Sequence, residues 1–465
     1  MSSDALGSAL PLAQLLQQLQ AGTVTSRTLL ESCLEHIADP GGEGPRTFLR
    51  VDADRARLEA DAADAAMQQG LDLGPLAGLP ISVKALFDVA GETTTAGSRV
   101  LADAPAATQD ADVVTLLRRA GAVIVGTTNM TEFAYSGVGL NPHYGTPRNP
   151  YQRPAGLIPG GSSSGAAISV TDRMAAVAVG TDTGGSTRIP AALCGLTGWK
   201  PTARRVSTHG AVPLAHTLDS IGPIGWTVDC CARVDAVLSG GTYLPEPLLP
   251  LAGLRFGVLQ GYVLDGLDRE VSTAFDLALQ LLSRAGASVE PVRFDALDRI
   301  PASNQSAATE AYAWHRTLLR AQGAGYDPHV SARILQGANV MAADYLDLQH
   351  IRRNIIRAAS LAFSDYDAIL LPTVPRIAPT IASLEESDNV YFDVNGAMLR
   401  NTSIFNFTDG CALSVPCHGE REPPVGLMIA GLCGNDAHIL RVGAAIEAAL
   451  QADPGSSRTI VRQEH

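Results

Sequence analysis

Apolar and polar positions along this chain fall into two rhythms, one with helical spacing and one of short unbroken apolar runs. Residues 10–19 and 26–37 carry the helical rhythm, and Thr25 or Ser26 offers a hydroxyl to cap the second helix. Residues 47–51 form a short strand candidate, and 54–69, rich in alanine and charge, predict a helix ended by Gly70. After a Gly/Pro-bounded loop, residues 79–83 predict a strand that delivers Lys84. A polar loop at 91–98 precedes a helix at 112–120 and a buried strand of the parallel kind at 122–126. Residues 129–133 predict the start of another helix, 137–153 a loop, and 175–179 a buried strand. A helix is expected from Ser186 through 191–195, and irregular chain over 207–223.

The alternation then resumes. Strands are predicted at 254–259, 289–294, 367–371, 412–415 and 426–429. Helices are predicted at 271–284, 307–322, 342–363 and 436–450, with 398–407 returning to the core and a mobile tail beyond Pro454. Strands mixed with helices throughout imply an α/β layered architecture. No repeat, low-complexity linker or composition break cuts the chain, so residues 1–465 are read as a single domain.

Composition narrows the class. Hydrophobic residues make up 46% of the 465 and charged residues 17%, which is a well-buried globular chain. The formal charge of −13, with no basic run beyond Arg204-Arg205, argues against direct nucleic-acid binding. Seven cysteines stand at spacings that match no disulfide scaffold or metal motif, so buried free thiols and a reducing cytoplasm are expected. The ten histidines form no H-E-x-x-H pattern, and no apolar stretch approaches a membrane span. No metal or cofactor and no membrane partner are expected. Oligomeric state stays open, with a homodimer allowed for.

The chemistry concentrates in residues 157–190. Pro159-Gly160-Gly161-Ser162-Ser163-Ser164-Gly165 and Gly180-Thr181-Asp182-Thr183-Gly184-Gly185-Ser186 are two Gly/Ser clusters flanking an apolar run. Such glycines let the backbone turn tightly and approach a ligand closely. A flexible linker would lack the apolar run between them. A P-loop would need a lysine closing one cluster, and neither fits the dinucleotide-binding spacing. Ser186, taken alone, reads first as a helix cap. Lys84, taken alone, reads as a solvated edge charge. Together they suit nucleophilic chemistry: a hydroxyl on a turn whose N–H groups (Thr183, Gly184, Gly185, Ser186) could surround an oxyanion, and a strand lysine among Ile81, Val83, Leu86 and Phe87 whose burial would favour the neutral amine. Asp88, close by in sequence, would oppose that shift.

These clusters, with Pro80-Ile81-Ser82-Val83-Lys84 upstream, resemble the amidase signature family of serine hydrolases. The resemblance runs from about residue 76 to 225, with weaker echoes at Ser414-Val415-Pro416-Cys417 and Pro424-Val425-Gly426-Leu427. It implies one α/β/α domain around a large mixed sheet and a Ser–Ser–Lys triad, the middle serine following a cis peptide bond. Mapped here, Ser186 is the nucleophile, Ser162 the bridging serine and Lys84 the base. The interval of 24 residues between the serines matches the family, although Ser163 and Ser164 compete with Ser162 on sequence alone. Thr181 and Ser163 could hold the ammonium or the loop. Asp182 and Arg188 could pair across the turn, or Arg188 could bind a substrate carboxylate. Phe133 and Tyr135 could line an acyl pocket or simply pack in the core, and residues 304–365 could form a helical lid. The implied activity is hydrolysis of a linear carboxamide to carboxylate and ammonia or amine. The alternatives are the glutaminase component of a tRNA-dependent amidotransferase, which would act with a partner protein, and a scaffold that has lost its activity.

Overall fold

The computed structural model describes residues 11–452, apart from the side chains of residues 302–304. Eleven strands form one mixed sheet: β1 (Phe48–Val51), β2 (Pro80–Lys84), β3 (Val123–Thr128), β4 (Val177–Asp182), β5 (Thr197–Lys200), β6 (Ser220–Gly225), β7 (Arg255–Leu259), β8 (Ser288–Val292), β9 (Ala368–Pro372), β10 (Cys411–Pro416) and β11 (Gly426–Gly431). Their order across the sheet is β1-β3-β2-β4-β6-β5-β10-β11-β9-β7-β8. The triplets β3-β2-β4 and β9-β7-β8 are parallel, and the strands between them pair antiparallel. Helices cover both faces, giving the α/β/α layering expected.

Burial on both faces explains why β3, β4 and β9 open on unbroken apolar runs (VIV, VAV and AILL) rather than alternating ones. Caps start the helices where the sequence puts them. Thr25 accepts from the Thr28 N–H at the head of helix Ser26–Ala38, and Asp52 accepts from Arg55 at the head of helix Ala53–Gln68. Residue 10 and the tail beyond Pro454 lie outside the described residues.

Four local readings change. Residues 129–133 do not start an α-helix; Glu132–Ala134 is a single tight turn in which Phe133 and Ala134 have φ of 50° and 59°. The reason is upstream: Asn129 donates to the Arg46 and Gly145 carbonyls and accepts from the Met130 N–H, holding the backbone out of helical form. A helix, Ser164–Thr171, separates the two Gly/Ser clusters; its first seven residues are all buried, so it shows no amphipathic period. β6 begins inside the stretch expected to be irregular, despite Gly222 and Pro223. A Cβ on Gly222 would sit 2.0 Å from the Trp199 carbonyl oxygen, so only glycine admits the neighbouring strand. Finally, β5 and helices Val228–Leu238 and Pro328–Leu335 stand where no element was predicted.

Candidate active site

The sheet order brings the distant residues together. β2 and β4 are parallel neighbours, Ile81 opposite Val177, so their C-terminal ends set Lys84 beside Thr181 and Asp182. In open α/β sheets the ends of strands are where sites form. The chain leaves β4 through Thr183-Gly184-Gly185-Ser186, and helix Arg188–Cys194 follows, with Thr187 at its cap position. Ser186 therefore stands one residue before the cap and is not itself the cap. The first Gly/Ser cluster ends at the head of helix Ser164–Thr171, and the Gly161–Ser162 peptide is cis.

Lys84 Nζ lies 2.7 Å from Ser162 Oγ and 2.8 Å from Thr181 Oγ1. Lys84 and Ser162 are fully buried, and Ser186 is only 3% exposed. Burial lowers the Lys84 ammonium to about 7, against the charges of Asp182 and Asp219, which favour the proton. Asp88 exerts no such effect; its carboxylate takes the Thr94 hydroxyl at 2.5 Å. Ser163 does not reach Lys84, and its hydroxyl donates to the Thr181 carbonyl at 3.4 Å. Within the described residues, the N–H groups of Gly184, Gly185 and Ser186 meet no protein acceptor.

Two cavities share Ala134, Thr183 and Leu214 in their walls. The narrower, about 40 Å³, carries Ser186, Tyr135 and Arg333. The larger, about 460 Å³, carries Thr181 and Asp219. Phe133 faces neither; it packs against Trp314, His315 and Tyr326 with ring centroids 6.0, 4.4 and 5.2 Å away.

The Amidase family model matches residues 43–440 of this sequence. The chain belongs to the amidase family. It is 36% identical to the 2-amino-5-chloromuconic acid deaminase of Comamonas testosteroni, across 94% of this chain and 96% of that protein. It is 34% identical to one component of the glutamyl-tRNA(Gln) amidotransferase of a Roseiflexus species, again across 94% of this chain and 96% of that protein. The peptide amidase of Stenotrophomonas maltophilia superposes with a TM-score of 0.80 at 27% identity, covering 96% of this chain and 98% of that one. The named members of the family act on carbon–nitrogen bonds of amides.

In this amidase the turn before Ser186 is clamped from three sides. Asp182 and Arg188 form a fully buried pair at 2.8 Å, and Asp182 also takes the Thr187 hydroxyl and N–H. Burial pushes the Asp182 carboxyl up, yet Arg188, Lys200 and Asn406 outweigh it and hold the group well below the ordinary carboxylate range. Arg188 spends its other donors on the Thr402 carbonyl and the Asn406 side chain, so it is committed to the scaffold. Thr402 Oγ1 donates to the Gly184 carbonyl at 2.5 Å, and Thr183 Oγ1 donates to Asp219 at 2.5 Å. Gly185 has φ of 138°, and a Cβ there would fall 2.2 Å from Thr402 Oγ1.

Sequence reasoning missed Thr402, Asn406, Asp219 and Arg333, which reach the site from distant stretches of chain. Arg333 alone left a trace. No acid stands three or four residues to either side of it, so nothing on its own helix could neutralise it. Its guanidinium sits 4.1 Å over the Tyr135 ring and donates to the Tyr135 carbonyl at 2.7 Å. Among the described residues it pairs with no carboxylate, and no group of three or more His, Cys, Asp or Glu is arranged to hold a metal ion.

Proposed function

We propose that this amidase hydrolyses a linear carboxamide that carries a carboxylate, through an acyl-enzyme on Ser186 with Ser162 and Lys84 as the proton relay. One observation carries the reading: a buried lysine amine, poised for neutrality near physiological pH, 2.7 Å from the Ser162 hydroxyl. Neutral Lys84 accepts the Ser162 proton through its lone pair while donating to Thr181. Ser162 accepts the Ser186 proton, and Ser186 Oγ attacks the amide carbon. The oxyanion is received by the N–H groups of residues 183–186, of which those on Gly184, Gly185 and Ser186 are uncommitted among the described residues. Each such donor is worth about 2.7–4 kcal/mol in the transition state. The proton then returns from Lys84 through Ser162 to the leaving nitrogen, ammonia or amine departs, and water cleaves the ester by the same relay.

The carboxylate in the substrate is argued from Arg333. A guanidinium with no anionic partner among the described residues, half-buried in the wall that also carries Ser186, favours an anionic ligand group. Substituting Arg333 by Met should lower kcat/KM for carboxylate-bearing amides about 10- to 100-fold and leave neutral amides of similar size nearly unchanged. Equal losses on both would remove the anionic-substrate reading while leaving the amidase reading intact.

The runner-up is the glutaminase component of an amidotransferase, favoured by the likeness to the Roseiflexus protein. It predicts that ammonia release from glutamine appears only with partner proteins. Turnover of small amides by the isolated chain favours the first reading. We further read the chain as one domain, because its strands join a single sheet, and residues 304–365 as a wall of the site, since Ala307 and Arg333 line the cavity. Six buried free thiols fit a cytoplasmic location. A homodimer is testable by light scattering.

A further inference from the structure

Asp219 is the carboxylate that the relay leaves unexplained. It stands just before β6, and Ser220 next to it pairs with Asp182 across the sheet. Its Oδ1 takes the Thr183 hydroxyl at 2.5 Å, and its Oδ2 takes the Leu214 and Ala215 N–H groups at 3.0 and 3.1 Å. All three donors are neutral. Among the described residues no Arg, Lys or His pairs with it. Its residual exposure is to the larger cavity, whose wall it shares with Thr181 and Thr183.

The relay itself creates a need for such a group. When Ser186 attacks, the proton reaches Lys84, and a neutral amine becomes a buried ammonium. Its direct contacts, Ser162 and Thr181, carry no charge. Two carboxylates act on it electrostatically, Asp182 and Asp219. Asp182 is already neutralised by Arg188 at 2.8 Å. Asp219 is the one whose charge is not spent on a cation.

We infer that Asp219 is a positioning residue for the reaction: it ties Thr183 into the turn before Ser186 and serves as the counter-charge to the Lys84 ammonium formed during acylation. This inference rests on the relay described above. The groups facing the pair are Lys84 from β2, Asp182 and Thr183 from β4, Glu310 from helix Ser303–Gln322, and His209 and His216 from the loop that walls the larger cavity. Burial raises the Asp219 carboxyl to about 6, with Glu310 adding to the rise, so the group is charged over the range in which Lys84 is free to accept a proton.

The test is the pH dependence of fluorophosphonate inactivation, which reads the relay without needing the natural substrate. Asp219→Asn removes the charge and keeps an acceptor for Thr183. A weaker counter-charge makes Lys84 a weaker base, so the acid limb should move to lower pH by about half a unit or more, and the plateau rate should fall several-fold. Asp219→Glu, which keeps the charge, should return the limb to the wild-type position even if its plateau stays low. Thr183→Val, which removes only the tether, should lower the plateau with the limb in place. A limb that stays put in Asp219→Asn would overturn the inference. So would a limb that moves in Thr183→Val as far as in Asp219→Asn, because loss of the tether would then explain everything. If Asp219→Asn does not fold, the Glu and Val variants still decide: a limb displaced in both contradicts the inference. Wild-type protein that takes no label at any pH would instead defeat the relay itself.

Discussion

At the scale of single residues the proposed relay turns on Lys84. Its ammonium is lowered to about 7 by burial, so the base form grows as pH rises through neutrality. kcat/KM should therefore climb from about pH 6 toward an alkaline plateau with an acid limb near 7. Lys84→Ala should lower kcat by about 10²–10⁴-fold through loss of the proton acceptor. Lys84→Arg should do nearly as badly, because a guanidinium stays protonated and cannot act as a base. An Arg variant that keeps most of the activity would mean that position 84 supplies only charge. The ingredients were legible in the sequence, a lysine closing a strand and serines in two glycine clusters, but Ser163 and Ser164 stood level with Ser162 there, and it is Ser162 that lies against Lys84. The lowered proton affinity was also foreseeable from the apolar neighbours. The opposing charges were not, because Asp182 and Asp219 come alongside through strand pairing, whereas Asp88, adjacent in sequence, turns away to Thr94.

At the scale of elements, the turn from β4 into helix Arg188–Cys194 is what holds the chemistry in place. Its conformation is set by a left-handed glycine and by clamps from helix Asp388–Phe407, which carries Thr402 and Asn406. Gly185→Ala should combine backbone strain of about 1–3 kcal/mol with a collision against Thr402, lowering the melting temperature and abolishing turnover together. Asp182→Asn should destabilise the fold by about 3–5 kcal/mol, because it leaves the Arg188 charge buried and unpaired; chemical denaturation reads this directly. A change of less than about 1 kcal/mol would show that the pair is dispensable. Most elements with a periodic surface were readable from sequence, although helices Val228–Leu238 and Pro328–Leu335, which also bury one face, were missed. Helix Ser164–Thr171 was not readable, since burial all round erases the period, and neither was β6, whose Gly222 and Pro223 are breakers that the crowding against Trp199 turns into requirements. The turn at Glu132–Ala134 escaped for a third reason: the side chain of Asn129, not local propensity, decides the backbone there.

At the scale of the whole molecule, one sheet gathers residues from positions 84 to 406 around one pair of cavities. The mixed α/β pattern was enough to expect layering, and the family resemblance implied one large mixed sheet, but the strand order was not encoded in any local pattern; it decides that Arg333, Thr402 and Asn406 meet residues from the first half of the chain. The helices from Ser303–Gln322 to Pro328–Leu335 wall the site through Ala307 and Arg333. No helix among the described residues is long and apolar enough to cross a membrane. The purified chain should turn over small amides in EDTA as fast as without it; activity lost to the chelator and restored by a divalent metal would contradict the relay. The most direct measurement is peptide mapping by mass spectrometry after trapping with a fluorophosphonate at alkaline pH. The relay predicts a single adduct on the peptide carrying Ser186, absent in Ser186→Ala protein that melts at the wild-type temperature. An adduct on Ser162 or Ser163, or one that persists in the Ser186→Ala variant, would contradict it.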